Sequence, residues 1–226
     1  EAAGGEVVST VTARSGRTDF TYEVSLVLAE NPDAIAIVAF EETEGVLQGL
    51  TEEGFPGSQI YLSDGSTANY RQVLPDGALE GAAGLIPGLE QPSVDLKQAM
   101  EEAWTTAGNG SLYQDDFWAY SAEAYDAAVL VALAALRAES TDADEIAAYM
   151  IEVSGGQPNS QACYTYATCA NILVDGGRIN YEGLTGSIEF DEAGDPLVAP
   201  ISLYRYRLDN AYEFERTLIG EWKSLE

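Results

Sequence analysis

Two short groups of polar and aromatic residues, each at the carboxyl end of a predicted strand, are the part of this sequence best suited to bind a small molecule. The first is Phe40-Glu41-Glu42 and the second is Ser63-Asp64-Gly65-Ser66. A carboxylate such as Asp64 can anchor a cation through a charge-assisted hydrogen bond, and an aromatic ring such as Phe40 adds apolar contact and cation–π attraction. Simpler interpretations stay open: Asp-Gly forms turns, Phe40 can be a core residue, and the glutamates can open a solvated helix.

The elements around these groups follow the order strand, helix, strand, helix, strand. Residues 7–12 are rich in β-branched side chains and predict a strand. Residues 34–40 form a continuous apolar run, which is typical of a strand buried on both faces of a parallel sheet, and residues 59–62 predict the third strand. A helix is predicted at 19–30 from apolar residues at helical spacing, and a second at 41–53 from the acidic residues at its start and Gly54 at its end. Two successive βαβ units indicate a doubly wound α/β sheet, whose ligands bind outside the carboxyl ends of its strands.

Further along, the pattern changes to helices and then to short strands. The predicted helices are 93–107, 120–137 and 142–153; the predicted strands are 186–190, 199–208 and a weak one at 214–222. Acidic residues cluster at Glu189, Asp191, Glu192 and Asp195, but their spacing does not match a calcium-binding loop. We therefore expect a hairpin turn at 191–195 and no metal site.

The charge of the chain excludes several partners. With 38 acidic and 10 basic residues the net charge is −28, which repels nucleic-acid phosphates and anionic membrane surfaces. Adaptation to solubility or to a salt-rich environment is the leading interpretation, and field-driven capture of a cationic ligand is the alternative. Because the 226 residues include no histidine, Ser-His and Cys-His catalysis is excluded within this chain.

The two cysteines, Cys163 and Cys169, are six residues apart in a predicted polar loop. Their spacing does not match a redox pair, and a zinc site would need more ligands. A local disulfide is the leading interpretation, with two free buried thiols as the alternative, and it would indicate an oxidising, exported location. The chain shows no basic leader at Glu1, and its longest apolar run, 127–136, is too short to span a bilayer. We therefore expect a mature, soluble product.

A set of motifs along nearly the whole chain resembles the extracytoplasmic solute-binding proteins of ABC importers, in particular the branched-chain amino acid (Leu/Ile/Val) receptor family. The motifs are Asp19-Phe20, Asn31-Pro32-Asp33-Ala34-Ile35, Gly54, Tyr125-Asp126-Ala127, and Gly183-Leu-Thr-Gly-Ser-Ile-Glu-Phe-Asp-Glu-Ala-Gly-Asp195. The Cys163–Cys169 segment before the last motif is similar to an insertion found in a subset of these receptors.

The resemblance implies an α/β type I periplasmic-binding-protein fold of two lobes that close on a ligand, without catalysis or cofactor. It places Asp64 where the family has an acid that holds the ligand's ammonium, and Phe40 where it has an aromatic ring. Glu41, Ser63 and Gly65 would lie beside them, at the same carboxyl ends of the strands. The implied ligand is an amino acid or similar polar solute, the implied partner an ABC permease, and the implied location periplasmic or extracellular.

The chain departs from the family pattern because it starts inside the second lobe. We expect residues 1–90 to be part of lobe two, 91–183 to be lobe-one helices and the disulfide loop, and 184–226 to be a crossover strand, a hairpin and the return to lobe two. A companion chain or a longer protein would supply the amino-terminal part and any lipid anchor. A ligand-sensing or structural surface protein that kept the receptor fold is the alternative function. A carboxylate-pair hydrolase is disfavoured because nothing fixes two carboxylates at one site.

Overall fold

The computed structural model describes residues 4–88, 93–110, 118, 120–155 and 157–221. The chain divides into two compact units, Glu1–Ile86 with Ser202–Arg216 and Pro87–Ile201 with Thr217–Glu226. The elements in chain order are α1 (Thr21–Leu28), β1 (Ile35–Ile37), α2 (Thr43–Glu52), β2 (Ile60–Leu62), β3 (Ala83–Pro87), α3 (Val94–Thr106), α4 (Ser121–Ala138), α5 (Ala143–Ser154), β4 (Gln161–Cys163), α6 (Tyr166–Val174), β5 (Ile179–Gly183), β6 (Gly186–Ser187), β7 (Val198–Tyr206) and β8 (Tyr212–Glu221).

The first unit is built on a sheet of strand order β1-β2-β3-β7-β8, in which β1, β2 and β3 run parallel. One face of β1 and β2 is buried, through Ile35, Ile37, Ile60 and Leu62. The opposite face is open, and Val38 just beyond β1 is 87 % exposed. The prediction that residues 34–40 are buried on both faces is therefore wrong, because within the described residues only one face of this strand is covered.

The segment at residues 7–12 corrects a second prediction. It forms no strand, and Val7 and Val8 are exposed. β-Branched composition favours an extended backbone, but a strand also needs a hydrogen-bonded neighbour and a surface to pack on. No ladder to this segment occurs among the described residues.

The second unit holds α3 to α6 and a three-stranded sheet of order β4-β5-β6. Its core gathers Val129, Leu133, Val153, Ile179 and Tyr181 with both cysteines. A disulfide joins Cys163 to Cys169. The segment around the two cysteines, expected to be a polar loop, is instead β4 followed by α6. The sequence analysis also did not predict β5. The local signal for α6 is a capping box, in which the Thr165 and Thr168 side chains bond each other's backbone N–H groups.

The predicted helix starts in this unit are close to the observed ones. Ser93 caps α3, since its hydroxyl accepts a hydrogen bond from the Leu96 N–H at 3.2 Å. Asp142 caps α5 through the N–H groups of Asp144 and Glu145. The last predicted strand is observed as β8, although residue 222 of the prediction lies outside the described residues. Every helix in the described part of the chain is too short or too polar to span a membrane.

One buried carboxylate fastens α4 to the loop after β5, residues 183–185. Asp126 is 2 % exposed. Its Oδ1 accepts hydrogen bonds from the Tyr181 hydroxyl at 2.8 Å and the Leu184 N–H at 3.0 Å. Its Oδ2 accepts from the Thr185 N–H at 2.9 Å and the Thr185 hydroxyl at 2.8 Å. Gly183 is required here because a Cβ at this position would overlap the Asp126 carboxylate.

Candidate functional site

The two candidate groups meet at one edge of the first unit's sheet. β1 and β2 are parallel and in register, with Ile37 opposite Leu62. The N–H of Ser63, the first residue after β2, donates to the carbonyl of Ile37 at 3.0 Å. Both strands therefore end side by side, as ligand sites of doubly wound sheets require. Residues 38–42 and the 63–68 loop leave the sheet at this point.

Gly65 and Phe40 are in direct contact. A Cβ on Gly65 would lie 2.6 Å from the Ala39 carbonyl oxygen and 2.7 Å from a ring carbon of Phe40, so any larger residue would displace the ring. Phe40 is 74 % exposed. The core interpretation of this side chain is therefore wrong, and the ring presents most of its surface to solvent.

Buried hydroxyls connect the two segments below this surface. The Thr43 hydroxyl donates to Ser66 Oγ at 2.8 Å, and the Ser66 hydroxyl donates to the Ala39 carbonyl at 3.2 Å. Asp64 opens a short 3-10 turn, Asp64–Ser66, and its carbonyl accepts the Thr67 N–H at 3.0 Å. Asp64 thus forms the turn that Asp-Gly favours while its residue surface stays exposed.

A surface depression of about 640 Å³ lies beside Phe40. It is lined by Ser15, Phe40, Glu41, Glu42, Glu44, Gly65, Ala68 and Tyr70. Hydrogen bonds from its own N–H and from the Gly16 N–H hold the pKa of Glu42 below its usual value, so this carboxylate stays ionised at neutral pH. Among the residues that the structure describes, the lining carries three glutamates and no lysine or arginine. Such a field attracts cationic groups and repels anionic ones.

The structure thus brings Phe40, Glu41 and Gly65 together around the depression, and places Ser63 and Asp64 in the adjoining loop. Sequence reasoning missed Thr43, Thr67, Tyr70 and Tyr204 below the surface, and it included Ser66 in the second candidate group without predicting that its hydroxyl is buried. Only Ser66 and Thr67 carried a local signal, as neighbours of the Asp-Gly turn in the sequence.

The acidic segment at residues 191–195 forms a turn. The Asp191 side chain accepts the N–H groups of Ala193 at 2.8 Å and Asp195 at 2.9 Å, and the Gly194 N–H donates to the Asp191 carbonyl. No group of three or more acidic or cysteine side chains suited to a metal occurs among the residues that the structure describes.

Comparison with known proteins gives a family assignment. The receptor family ligand binding region matches residues 5–204. The chain is 24 % identical over 195 residues to the chemotactic signal transduction system substrate-binding protein BasB of Halobacterium salinarum, a match that covers 86 % of this chain and 44 % of BasB.

Solved structures show the same fold. A leucine binding protein, LivK, of Thermotoga maritima matches with a TM-score of 0.64 at 22 % identity, over 96 % of this chain and 53 % of that one. A solute-binding protein of R. palustris in complex with benzoate matches with a TM-score of 0.61 at 14 % identity, over 99 % of this chain and 53 % of that one. The chain therefore spans about half the length of these relatives.

These relatives are named as binding proteins and not as enzymes, and the α/β architecture with its parallel sheet agrees with theirs. The chain belongs to the receptor ligand-binding family and has the type I periplasmic-binding-protein fold.

Proposed function

We propose that this chain is part of an extracytoplasmic substrate-binding protein that captures an amino acid or a similar small polar solute for an ABC importer. In this mechanism two lobes close on the ligand, and the ligand shifts the equilibrium by its differential affinity for the closed state. The first unit would supply one wall of the cleft.

The observation that carries the proposal is the meeting of Phe40, Gly65 and the Asp64 turn at the carboxyl edge of the parallel strands. Phe40 offers an exposed apolar ring, and the surrounding carboxylates offer a negative field. An amino acid presents a matching pair of groups, an ammonium and an apolar side chain. The ammonium would be held by Asp64 through charge-assisted hydrogen bonds, with Glu41, Ser63 and Gly65 around it.

Partner and location are part of the same proposal. A permease in the membrane would receive the closed form. The Cys163–Cys169 disulfide supports a periplasmic or extracellular location, since disulfides persist in oxidising compartments.

A ligand-sensing receptor is the second candidate. BasB, the relative from Halobacterium salinarum, is named as part of a chemotactic signal transduction system. Closure coupled to a membrane-bound transducer would use the same cleft. The genomic neighbourhood separates the two: an adjacent permease gene favours import, and an adjacent transducer gene favours sensing.

Calorimetric titration with the standard L-amino acids tests the binding proposal. Asp64→Asn should weaken binding by about tenfold or more, because a charge-assisted hydrogen bond to the ammonium is lost. Asp33→Asn is the matched control, since it removes the same charge from an exposed residue before β1, at the opposite end of the strand. Equal losses in both variants would show a general field effect and not an anchor at Asp64. Binding of no amino acid would contradict the proposed ligand class.

A further inference from the structure

Three tyrosines of the first unit form a compact buried group, here called the tyrosine cradle: Tyr70, Tyr204 and Tyr206. The ring of Tyr206 lies 5.9 Å from that of Tyr70 and 5.8 Å from that of Tyr204, measured between centroids. All three side chains are buried. Burial on this scale contributes apolar stabilisation, but phenylalanine would supply that equally well.

The hydroxyls of the cradle distinguish it from ordinary core packing, because all three donate into one short segment. Tyr70 donates to the Ser66 carbonyl at 2.8 Å, and Tyr206 donates to the Ala68 carbonyl at 2.8 Å. Tyr204 donates to the Ser63 carbonyl at 3.4 Å and accepts from the Thr67 hydroxyl at 3.1 Å. Every one of these partners belongs to the 63–68 loop.

Tyr204 and Tyr206 reach this loop from β7, more than a hundred positions along the chain, so the contacts are not a by-product of local turn geometry. The sheet also makes room for them. A Cβ on Gly84 of β3 would overlap the Tyr204 ring and hydroxyl. Burial raises the pKa of Tyr204 to about 12, so its hydroxyl remains a neutral donor throughout the physiological range.

We infer that the tyrosine cradle is a positioning device for the candidate ligand site, with Tyr204 fixing the ends of the turn that carries Asp64. This inference rests on the proposed function for its ligand but not for its loop geometry. Ser63 and Thr67 flank the Asp64–Ser66 turn on both sides, and Tyr204 contacts both. Release of these two contacts would let the turn, and with it Asp64 and Gly65, move away from Phe40.

The first test needs no ligand. Tyr204→Phe keeps the ring and removes the hydroxyl, and amide hydrogen exchange is followed by NMR at Ser66 and Thr67, whose N–H groups close the turn. We expect exchange at these two amides to rise about tenfold, as loss of a typical hydrogen bond predicts, while the β1–β2 ladder keeps its protection. Tyr181→Phe is the matched control, because it removes a buried tyrosine hydroxyl in the second unit. Unchanged exchange at Ser66 and Thr67, or an equal rise in the control, overturns the inference.

The second test uses L-leucine and 4-methylpentanoate, which is leucine without its amine. If Tyr204 acts by positioning Asp64, Tyr204→Phe weakens leucine binding about tenfold and leaves binding of 4-methylpentanoate unchanged. The same loss should be absent in an Asp64→Asn background, because the anchor is already gone. Equal losses for the two probes would show that the tyrosine only stabilises the fold, which overturns the inference.

Failure of the proposed function and failure of the positioning inference give different results. If the wild type binds none of the standard L-amino acids, the amino acid proposal fails, and the exchange result still decides whether the cradle holds the loop.

Discussion

Two loops of this molecule, 63–68 in the first unit and 183–185 in the second, are fixed in opposite ways. The 63–68 loop exposes its acid, Asp64, and is held from below by neutral tyrosine hydroxyls. The 183–185 loop is held by an acid, Asp126, which lies buried on α4 and accepts four hydrogen bonds. In the first case the aspartate is an exposed residue, and in the second the carboxylate is enclosed by donors.

The difference shows that the burial of an aspartate and the hydrogen-bond donors around it, not the residue type alone, decide whether its carboxylate is part of the internal hydrogen bonding of the fold. A buried carboxylate is tolerated only when hydrogen bonds replace its water, and such a group then serves structure. An exposed aspartate beside an exposed aromatic ring is accessible to a small molecule from solvent. Both aspartates belong to motifs that sequence inspection singles out, and only the structure shows that Asp64 is exposed and Asp126 is buried.

The largest effect should come from Asp126→Ala. This change leaves the Tyr181 hydroxyl and the Leu184 and Thr185 N–H groups without their acceptor, which should lower the free energy of unfolding by about 3–5 kcal/mol. Asp64→Ala should change it by no more than about 0.5 kcal/mol, as for most surface positions. Urea denaturation of both variants measures the two changes in the free energy of unfolding. Similar changes in both variants would contradict the contrast between the buried and the exposed aspartate.

Alkaline pH should act on the 63–68 loop, through Tyr204, before it acts on the 183–185 loop. The 183–185 loop is held by two backbone N–H groups and a threonine hydroxyl, and burial together with the hydrogen bond to Asp126 raises the pKa of Tyr181 well above its ordinary value. The folded pKa of Tyr204, about 12, is raised by burial above its ordinary value of 10.0. Its stabilising contribution is therefore complete below pH 10 and is lost as the pH rises through 12. The pKa difference corresponds to about 2–3 kcal/mol.

Absorbance at 295 nm and circular dichroism, followed together against pH, measure this loss. Tyr204→Phe should lessen the alkaline loss of stability, whereas Tyr61→Phe, at an exposed position of β2, should leave it unchanged. An identical alkaline transition in wild type and Tyr204→Phe would contradict the assignment.

Gly84→Ala tests the space under the tyrosine cradle. The added methyl group would overlap the Tyr204 ring, and overpacking of this kind costs about 1–3 kcal/mol. Gly5→Ala is the matched control, since nothing lies within 4 Å of the added Cβ there. Thermal unfolding compares the two, and a neutral Gly84→Ala would show that β7 shifts easily.

The smallest effect on stability should come from Phe40→Ala, within about 0.5 kcal/mol, because the ring is already exposed and little burial is lost. Phe20→Ala, at a buried position just before α1, should cost about 3–5 kcal/mol. Denaturant titration of the pair shows whether Phe40 contributes to the stability of the fold. A large loss for Phe40→Ala would place this ring among the structural residues.

Local patterns predicted much of the fold. The helices α1 to α5 followed from apolar spacing and caps such as Ser93 and Asp142, whose signals lie within one turn of the chain. The strands β2 and β7 followed from apolar or alternating runs. The failures at residues 7–12 and 34–40 have one cause: β-branched and apolar content does not say whether a neighbour or a covering layer is present.

The sequence by itself determined the α/β class, the family motifs, the acidic character of the surface and the placement of Asp64 and Phe40 after successive strands. Each of these depends on residue order and composition over short distances. Only the tertiary structure decided that Phe40 is exposed and rests against Gly65, that Asp126 is buried and saturated, and that three tyrosine hydroxyls converge on the 63–68 loop. Most of these contacts join residues far apart in the chain. They depend on strand register and on which groups the fold removes from water, and no local sequence pattern predicts either.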